Sequence, residues 1–309
     1  MKYNWTKYGI IWKPLEVSEQ TFSHATAPTP IHLRNGLIRV FYSSRDATGV
    51  GRVFSLDLDA NDPTKVLGYS KAPVLDIGRP GMFDDNGVMA LSVIKSTDNS
   101  LFMYYVGFEI CEKIRYRLFT GLAISVDDGD SFNRFQETPI LDRSQGESFF
   151  RGGAHVTLDR NVYRMYYVGG EDWIEISGKF CPNYNIRYIE SLDGIHWPTN
   201  GQVILETDEY THGYGRPWLV ASDDNALDLF FSGRSRSTGK YSIGLARKTS
   251  TGDWRRVDNL SGFEIGKEFF GIESLMYTSF IRIGKKLYCF YNGDDFGKSG
   301  FALAVTHLD

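Results

Sequence analysis

The sequence predicts an all-β chain folded as a five-bladed β-propeller with four antiparallel strands in each blade, and three observations support this. A short run of β-forming residues that ends in paired aromatics recurs along the 309 residues. A second β-type run follows each copy and is bounded by Gly, Asp or Asn, as strands joined by hairpins are. No helical periodicity extends beyond a turn or two, and repeats built only of strands are typical of propellers.

The spacing of the repeat predicts the number of blades. The last aromatic residues of successive copies are 63, 62, 64 and 60 residues apart; they are Tyr42, Tyr105, Tyr167, Phe231 and Tyr291. Five periods of about 62 residues fill the chain, so we expect one domain rather than the two that length alone suggests. The predicted blades are residues 15–78, 79–145, 146–208, 209–268, and 269–309 together with 1–14.

The two ends of the chain are predicted to meet in the last blade. Residues 300–305 read as a third strand, which leaves that blade without an outer strand. Residues 4–12 are similar to the fourth strands that contain Trp197 and Trp254. Because an unpaired edge is a liability for a β-protein, we expect the N-terminal strand to pair with the C-terminal repeat and close the ring.

Two turns after the third strands share a pattern of Ser, Asp and Gly followed by an aromatic residue. They span residues 125–132 and 191–197, and residues 250–254 form a degenerate copy. These turns resemble the Asp-boxes of sialidase-like propellers, in which Ser and Asp side chains cap the hairpin backbone. We interpret them as structural.

Composition and charge exclude several classes of protein. A net charge of -4 and a pI of about 5.9 argue against a nucleic-acid partner, which requires a concentrated basic surface. No apolar run reaches the ~18 residues of a membrane span, and the N-terminus lacks the pattern of a secretory signal. Cys111, Cys181 and Cys289 are too far apart to indicate a disulfide framework or a zinc site. We therefore expect a cytoplasmic protein without a metal or cofactor.

The candidate functional residues lie on the first strand of each predicted blade. These strands line the central channel of a propeller, so side chains about 62 residues apart are expected to meet in one funnel. Charged groups on otherwise apolar strands are costly to bury unless they are paired or used. The candidate acid–base residues are Asp85, Glu147 and Glu209; the candidate ligand-binding residues are His24, Asp84, Arg151, His212, Tyr214, Arg216, Glu273 and Tyr277.

Four features together resemble a known superfamily. They are the five-blade count, the Phe-Asp-Asp-Asn-Gly segment at 83–87, the Tyr-Tyr-x-Gly second strands and the Gly-Arg-Pro segment at 215–217. The chain is similar over its whole length to the five-bladed glycosidases, which include glycoside hydrolase families 43, 62, 32 and 68 and the family 130 phosphorylases. More narrowly, it resembles uncharacterised propellers met in bacterial surface-polysaccharide biosynthesis. The resemblance implies a carbohydrate-active protein whose partner is a small glycan or sugar derivative.

The catalytic pattern of family 43 matches this sequence only in part. That pattern has an Asp-Pro on blade one, an Asp on blade two and a Glu on blade three. Asp85 matches the blade-two acid, the blade-one position is Ala27, and Glu147 is the acid nearest the blade-three position. Glycoside hydrolysis needs two carboxylates across the scissile bond, so a second acid would have to come from Glu209 or Glu273.

Three functions remain open from the sequence. In the first, the protein is a glycan-acting hydrolase, phosphorylase or transfer enzyme in which Asp85 and either Glu147 or Glu209 do acid–base work. Arg151 and Arg216 would then hold an anionic group such as phosphate or a sugar carboxylate. In the second, it is a non-catalytic carbohydrate-binding propeller, and in the third its charges form structural ion pairs in a scaffold. A sialidase fits less well, because the sequence shows no evident set of three arginines with a Tyr–Glu pair.

Overall fold

The chain is almost entirely β-structure, as the sequence predicts. The computed structural model describes residues 2–14, 19–33, 36–221, 226–266 and 270–308, which contain twenty strands and two single-turn helical segments, Asp258–Leu260 and Asp294–Gly297. Among these residues, no helix has the length and apolar character needed to span a bilayer. The strands are β1 (Thr6–Trp12), β2 (Ser23–Leu33), β3 (Leu37–Arg45), β4 (Gly51–Asp59), β5 (Val66–Tyr69), β6 (Val88–Lys95), β7 (Leu101–Ile110), β8 (Tyr116–Ser125), β9 (Asn133–Arg134), β10 (Phe150–Asp159), β11 (Val162–Ile176), β12 (Lys179–Ser191), β13 (Gln202–Leu205), β14 (Thr211–Ala221), β15 (Leu227–Ser235), β16 (Tyr241–Lys248), β17 (Trp254–Arg256), β18 (Met276–Ile283), β19 (Lys286–Asn292) and β20 (Phe301–His307).

Consecutive strands pair antiparallel in sets of four. Strands β2 to β5 form one sheet, and β18 to β20 form another that β1 completes. A twelve-stranded sheet contains β6 to β9, β10 to β13 and β14 to β17, and short parallel pairings of β8 with β10 and of β12 with β14 join these three sets by hydrogen bonds. We name each set by its first strand, as the β2, β6, β10, β14 and β18 units.

The first strands of these units contact one another. Strand β2 contacts β6, β6 contacts β10, β10 contacts β14, β14 contacts β18, and β18 contacts β2. Strand β1 is antiparallel to β20, with Thr6 opposite Val305 and Trp12 opposite Phe301. The first and last strands of the chain therefore belong to one sheet.

Aromatic residues of the second strands pack directly on glycines of the third strands. Tyr105 faces Gly121, and Phe231 faces Gly244 across the β15–β16 pair. A Cβ atom at either glycine would lie 2.3 Å from the opposing ring. Glycine is required at these two positions, because each buried ring occupies the space that a side chain on the neighbouring strand would need.

The Ser-Asp turns cap their own backbones. Ser125 Oγ accepts a hydrogen bond from Gly129 N (2.9 Å), and Asp127 Oδ1 accepts one from Ser131 N (3.1 Å). Asp193 makes the equivalent contacts with the backbone amides of the 191–197 turn. Such local bonds fix the hairpin geometry, and these hydrogen bonds support the structural interpretation of the turns.

Candidate functional site

A central cavity of about 310 Å³ lies where the first strands of the units converge. Its walls come from the β2, β6, β10, β14 and β18 units, including the ends of second strands and the hairpins that follow them. Its volume falls in the range of small-molecule sites. A ligand in this cavity would contact residues that are far apart in the sequence.

A repeated irregularity in the first strands turns residues into this cavity. The pairing register shifts within each of β2, β10, β14 and β18, as in a β-bulge. At these points Ala27, Gly153, Arg216 and Tyr277 have positive φ angles of 55°, 67°, 48° and 58°. Left-handed backbone is costly for residues other than glycine and is concentrated at functional sites. Of the four, Gly153, Arg216 and Tyr277 line the cavity.

Three arginines bring positive charge to the cavity wall. Arg45 lies at the end of β3, Arg115 in the β7–β8 hairpin and Arg234 near the end of β15. Within the described part of the chain, none of the three has a carboxylate within ion-pair distance, and no Asp or Glu lines the cavity. Burial lowers the pKa of Arg45, but the group stays charged at neutral pH. With Arg216, which also lines the cavity, the wall carries four guanidinium groups, and Arg45, Arg115 and Arg234 are available to an anionic ligand.

Four tyrosines accompany these arginines. The hydroxyl groups of Tyr184 and Tyr241 share a hydrogen bond of 2.9 Å, and the guanidinium of Arg234 lies 5.4 Å from the ring centre of Tyr241. Burial raises the pKa of Tyr184 and of Tyr277 well above the usual value, and raises that of Tyr116 to about 12. These phenols therefore stay protonated at neutral pH and can donate hydrogen bonds to ligand oxygens.

Most of the wall formed by the β6 unit is apolar. Its apolar side chains in the cavity are those of Met89, Leu91, Val106, Phe108 and Leu118. Arg115 and Tyr116 of the same unit and the arginine and tyrosine side chains of the other units are polar, so the cavity has an apolar part and a cationic part. Such a surface suits a ligand that has both carbon-bound hydrogens and a charged group.

Two of the candidate ligand-binding residues, Arg216 and Tyr277, lie on the cavity wall. His24 lies close by, and its Nδ1 is 2.8 Å from Ser23 Oγ. Its pKa is lowered to about 4, first by burial and then by the charges of Arg45 and Lys298. It is therefore neutral at physiological pH and adds no further charge to the arginine cluster.

Asp84 and Asp85 hold the segment that leads into β6 rather than lining the cavity. Asp84 is fully buried and accepts hydrogen bonds from the hydroxyl of Tyr105 (3.0 Å) and from Nε of Arg134 (2.8 Å). Asp85 accepts one from the amide of Gly81 (2.8 Å) and another from the Asn86 side chain. Both carboxylates thus have local partners.

Glu147 and Arg151 form a buried network away from the cavity lining. The carboxylate of Glu147 is fully buried and pairs with Arg151 Nε at 2.7 Å and Arg187 Nη1 at 3.0 Å. It also accepts hydrogen bonds from the Tyr167 hydroxyl (2.7 Å) and the Gly201 amide (3.1 Å). Three hydrogen bonds and the ion pair with Arg151 thus engage both oxygens of this carboxylate.

The remaining candidates also lie outside the cavity lining. Glu209 is exposed, and Glu273 is exposed and paired with Lys240. His212 is buried, and its Nδ1 is 2.8 Å from the carbonyl oxygen of Pro182. Tyr214 is buried and accepts a hydrogen bond from Arg256 (3.1 Å). The structure thus brings together Arg216 and Tyr277 but does not gather the three candidate acids at one point.

The cavity residues that were not predicted do carry a sequence signal. Arg45, Phe108 and Arg234 each stand three residues after the last aromatic of their repeat copy, and all three line the cavity. Tyr116, in turn, is the first residue of a third strand. Reading the repeat three residues further would have found two of the three arginines, whereas Arg115 lies in a hairpin outside the strand pattern.

The described residues show no clear metal site. No group of three or more His, Cys, Asp or Glu side chains in that part of the chain is arranged to hold an ion. None of the three cysteines forms a disulfide.

Comparison with known proteins connects this fold to glycosidases. No family model matches the chain. The uncharacterized protein Rv1502 of Mycobacterium tuberculosis is 28% identical over 302 residues, which cover 97% of this chain and 98% of that protein. Among solved structures, a glycoside hydrolase superposes with a TM-score of 0.75 at 17% identity, covering 98% of this chain and 92% of its own.

Two further structures carry family designations. A protein of the GH130 family, which comprises mannoside phosphorylases and glycoside hydrolases that target β-1,2 mannosidic linkages in Candida mannan, has a TM-score of 0.72 at 14% identity and covers 100% of this chain and 97% of its own. A thermostable family-43 glycoside hydrolase has a TM-score of 0.66 at 17% identity, and the superposition covers 96% of this chain and 91% of that hydrolase. The chain therefore has a glycosidase-like β-propeller fold.

Proposed function

We propose that this protein binds an anionic sugar derivative, carrying a phosphate or a carboxylate, in its central cavity. The observation that carries the proposal is the set of three arginines, Arg45, Arg115 and Arg234, which converge on the cavity without carboxylate partners among the described residues. Guanidinium groups suit phosphate and carboxylate geometry. The glycosidase-like fold supports a sugar as the rest of the ligand.

The distribution of polar and apolar groups fits such a ligand. The phenols of Tyr184 and Tyr241 can bond to sugar hydroxyls, and the aromatic faces and the apolar wall of the β6 unit can pack against the C–H surface of the ring. A neutral sugar would leave the cationic wall uncompensated, and buried uncompensated charge is costly. The cavity should therefore distinguish anionic from neutral ligands more strongly than it distinguishes one sugar from another.

We further propose that the five units are five blades of one closed ring, with β1 as the outer strand of the last blade. The cyclic contacts of the first strands and the β1–β20 pairing support this arrangement. We place the protein in glycan metabolism in the cytoplasm, with surface-polysaccharide biosynthesis as the specific setting. Three cysteines without a disulfide fit a reducing compartment.

Binding, rather than hydrolysis by two carboxylates, is the activity that this geometry favours. Glycosidases place two carboxyl groups across the scissile bond, and no carboxylate of the described residues lines this cavity. Asp85, Glu147 and Glu209 stay predictions as acid–base residues. The alternative is a phosphorylase or transfer enzyme, which the arginines favour because they could hold a phosphate group.

A thermal-shift screen on matched ligand pairs tests the proposal. Each pair contains an anionic sugar and its neutral parent, such as a hexose 1-phosphate with the hexose and a uronic acid with its aldose. A ligand that binds the native state raises the melting temperature by mass action, so the anionic member should stabilise the protein and the neutral member should not. Stabilisation by neutral sugars alone would refute the proposal.

Three variants and one control locate the binding. Arg45→Met, Arg115→Met and Arg234→Met should each weaken the shift, whereas Arg79→Met should leave it unchanged. Arg79 is exposed, lies outside the cavity lining and pairs with Glu137, so it serves as a control for the loss of one positive charge. Incubating the stabilising ligand with the wild-type protein and analysing the products then separates binding from turnover.

A further inference from the structure

One aromatic residue on the cavity wall has a backbone conformation that does not suit it. Phe296 lies in the connection between β19 and β20 and lines the cavity. Asp295 and Phe296 both have left-handed backbone, with φ angles of 52° and 57°, as at the centre of a type I′ turn. Such positions favour Gly, Asn or Asp and are unfavourable for a bulky residue. Local conformation therefore gives no reason for a phenylalanine here.

Hydrogen bonds on both sides hold this turn in place. The carboxylate of Asp294 accepts hydrogen bonds from the backbone amides of residues 272–274 at 2.7–2.9 Å. The carbonyl oxygen of Phe296 accepts one from Thr26 Oγ1 of β2 at 2.6 Å. Because these anchors belong to the β18 and β2 units, the turn is tied to two neighbouring walls of the cavity. Unfavourable backbone persists where its surroundings fix it in this way, and it is concentrated at functional sites.

The ring of Phe296 lies beside one of the cavity arginines. Its centre is 6.1 Å from that of Tyr241, and the two ring planes are inclined at 78°. The guanidinium of Arg234 lies 5.4 Å from the same Tyr241 ring. Tyr241 is 5% exposed, whereas Phe296 is 36% exposed. The accessible part of the phenyl group therefore adjoins the Tyr241–Arg234 pair, where the proposed ligand would place its charge.

We infer that Phe296 is a specificity-determining residue, which recognises the sugar ring of the anionic ligand by stacking. The inference rests on the proposed function, because it requires an anionic sugar in the cavity. An aromatic ring packs on the C–H surface of a pyranose, whereas a guanidinium binds only the charged group. The protein should therefore prefer a cyclic sugar phosphate or uronic acid to an open-chain anion of equal charge. Recognition of the charge and of the ring would depend on different residues, so substitution can separate them.

Calorimetric titration with matched anions tests the inference. The 6-phosphates of glucose, mannose and galactose are compared with the corresponding hexitol 6-phosphates, and glucuronate is compared with gluconate. The wild type should bind the cyclic member about 10-fold more tightly. Phe296→Gly should lose this preference by binding the cyclic member more weakly, and Phe296→Tyr, which keeps an aromatic ring, should retain it.

Two further variants separate the ring from the turn. Asp295→Gly changes the neighbouring left-handed residue, which is exposed and outside the cavity lining, so it should retain the preference. Phe296→Leu keeps an apolar side chain on the same backbone but has no flat ring, so it should lose the preference like Phe296→Gly. Since glycine suits left-handed backbone, its gain offsets the lost packing on Tyr241, and Phe296→Gly should melt within about 3 °C of the wild type.

The outcomes distinguish this inference from the proposed function. A preference that persists in both Phe296→Gly and Phe296→Leu would overturn the inference alone, as would a wild type that binds cyclic and open-chain anions equally. Loss of the preference in Asp295→Gly would also overturn it, because the turn rather than the ring would then decide. A wild type that binds none of the cyclic anions would overturn the proposed function and this inference together.

Discussion

Replacing Glu147 by Gln separates a structural role for this carboxylate from a catalytic one. The substitution keeps the shape of the side chain but removes the negative charge that faces Arg151 (2.7 Å) and Arg187 (3.0 Å). It also places an NH2 donor where one carboxylate oxygen now accepts a hydrogen bond, from either the Tyr167 hydroxyl or the Gly201 amide. Because Glu147 is fully buried, no water can replace the lost interactions.

The expected loss of stability follows from this geometry. Breaking a buried ion pair by removing one partner costs about 3–5 kcal/mol. Unfolding entropy of about 2.1 cal/mol/K per residue gives roughly 650 cal/mol/K for 309 residues, so 1 kcal/mol shifts the melting temperature by about 1.5 °C. We therefore expect Glu147→Gln to melt about 5–8 °C below the wild type.

Scanning calorimetry of Glu147→Gln and of Glu209→Gln provides the measurement and its control. Glu209 is exposed, so its variant should melt within about 1 °C of the wild type. The folded fraction of both variants should bind the anionic sugar normally. If Glu147→Gln melts like the wild type but loses turnover of a glycan, the structural interpretation is wrong and the carboxylate is catalytic.

Three further predictions concern stability. Deleting residues 2–12 should lower the melting temperature sharply, because it exposes the edge of β20; an unchanged melt would disprove the closure of the last sheet by β1. Gly121→Ala should destabilise by about 1–3 kcal/mol, since its Cβ would lie 2.3 Å from the Tyr105 ring, and a urea midpoint equal to that of the wild type would contradict this packing. His155, with its pKa lowered to about 3, binds a proton more readily when unfolded. As the pH is lowered from 6.5 to 3, the free energy of unfolding should therefore fall by up to about 1.4 kcal/mol per pH unit. The free energy of unfolding of His155→Phe should depend less steeply on pH in this range. An equally steep dependence in that variant would refute the assignment of the effect to His155.

The strand pattern was predictable because it rests on local periodicity. The paired aromatics recur on every second strand at a regular spacing, and in two units the last of them faces a glycine of the third strand, as Tyr105–Gly121 and Phe231–Gly244 show. The all-β prediction followed from these local constraints.

The candidate site was less predictable because partners and side-chain directions are tertiary properties. Glu147 reads as a free acid in the sequence, yet its partners Arg187 and Gly201 lie 40 and 54 residues away. Arg216 and Tyr277 reach the cavity through bulges that no propensity indicates. Arg115 comes from a hairpin whose mixed charge resembles that of any solvated loop.

Calorimetric titration measures whether the cavity selects its ligand by negative charge, as we propose. Wild-type protein and Arg234→Met are titrated with the most stabilising anionic sugar and with its neutral parent. Losing one charged hydrogen bond of about 1.5–3 kcal/mol should weaken binding of the anionic sugar by about 10- to 150-fold, while the neutral parent binds weakly to both proteins. Equal affinity of the wild type for the two sugars, or undiminished binding of the anionic sugar to Arg234→Met, would contradict the claim.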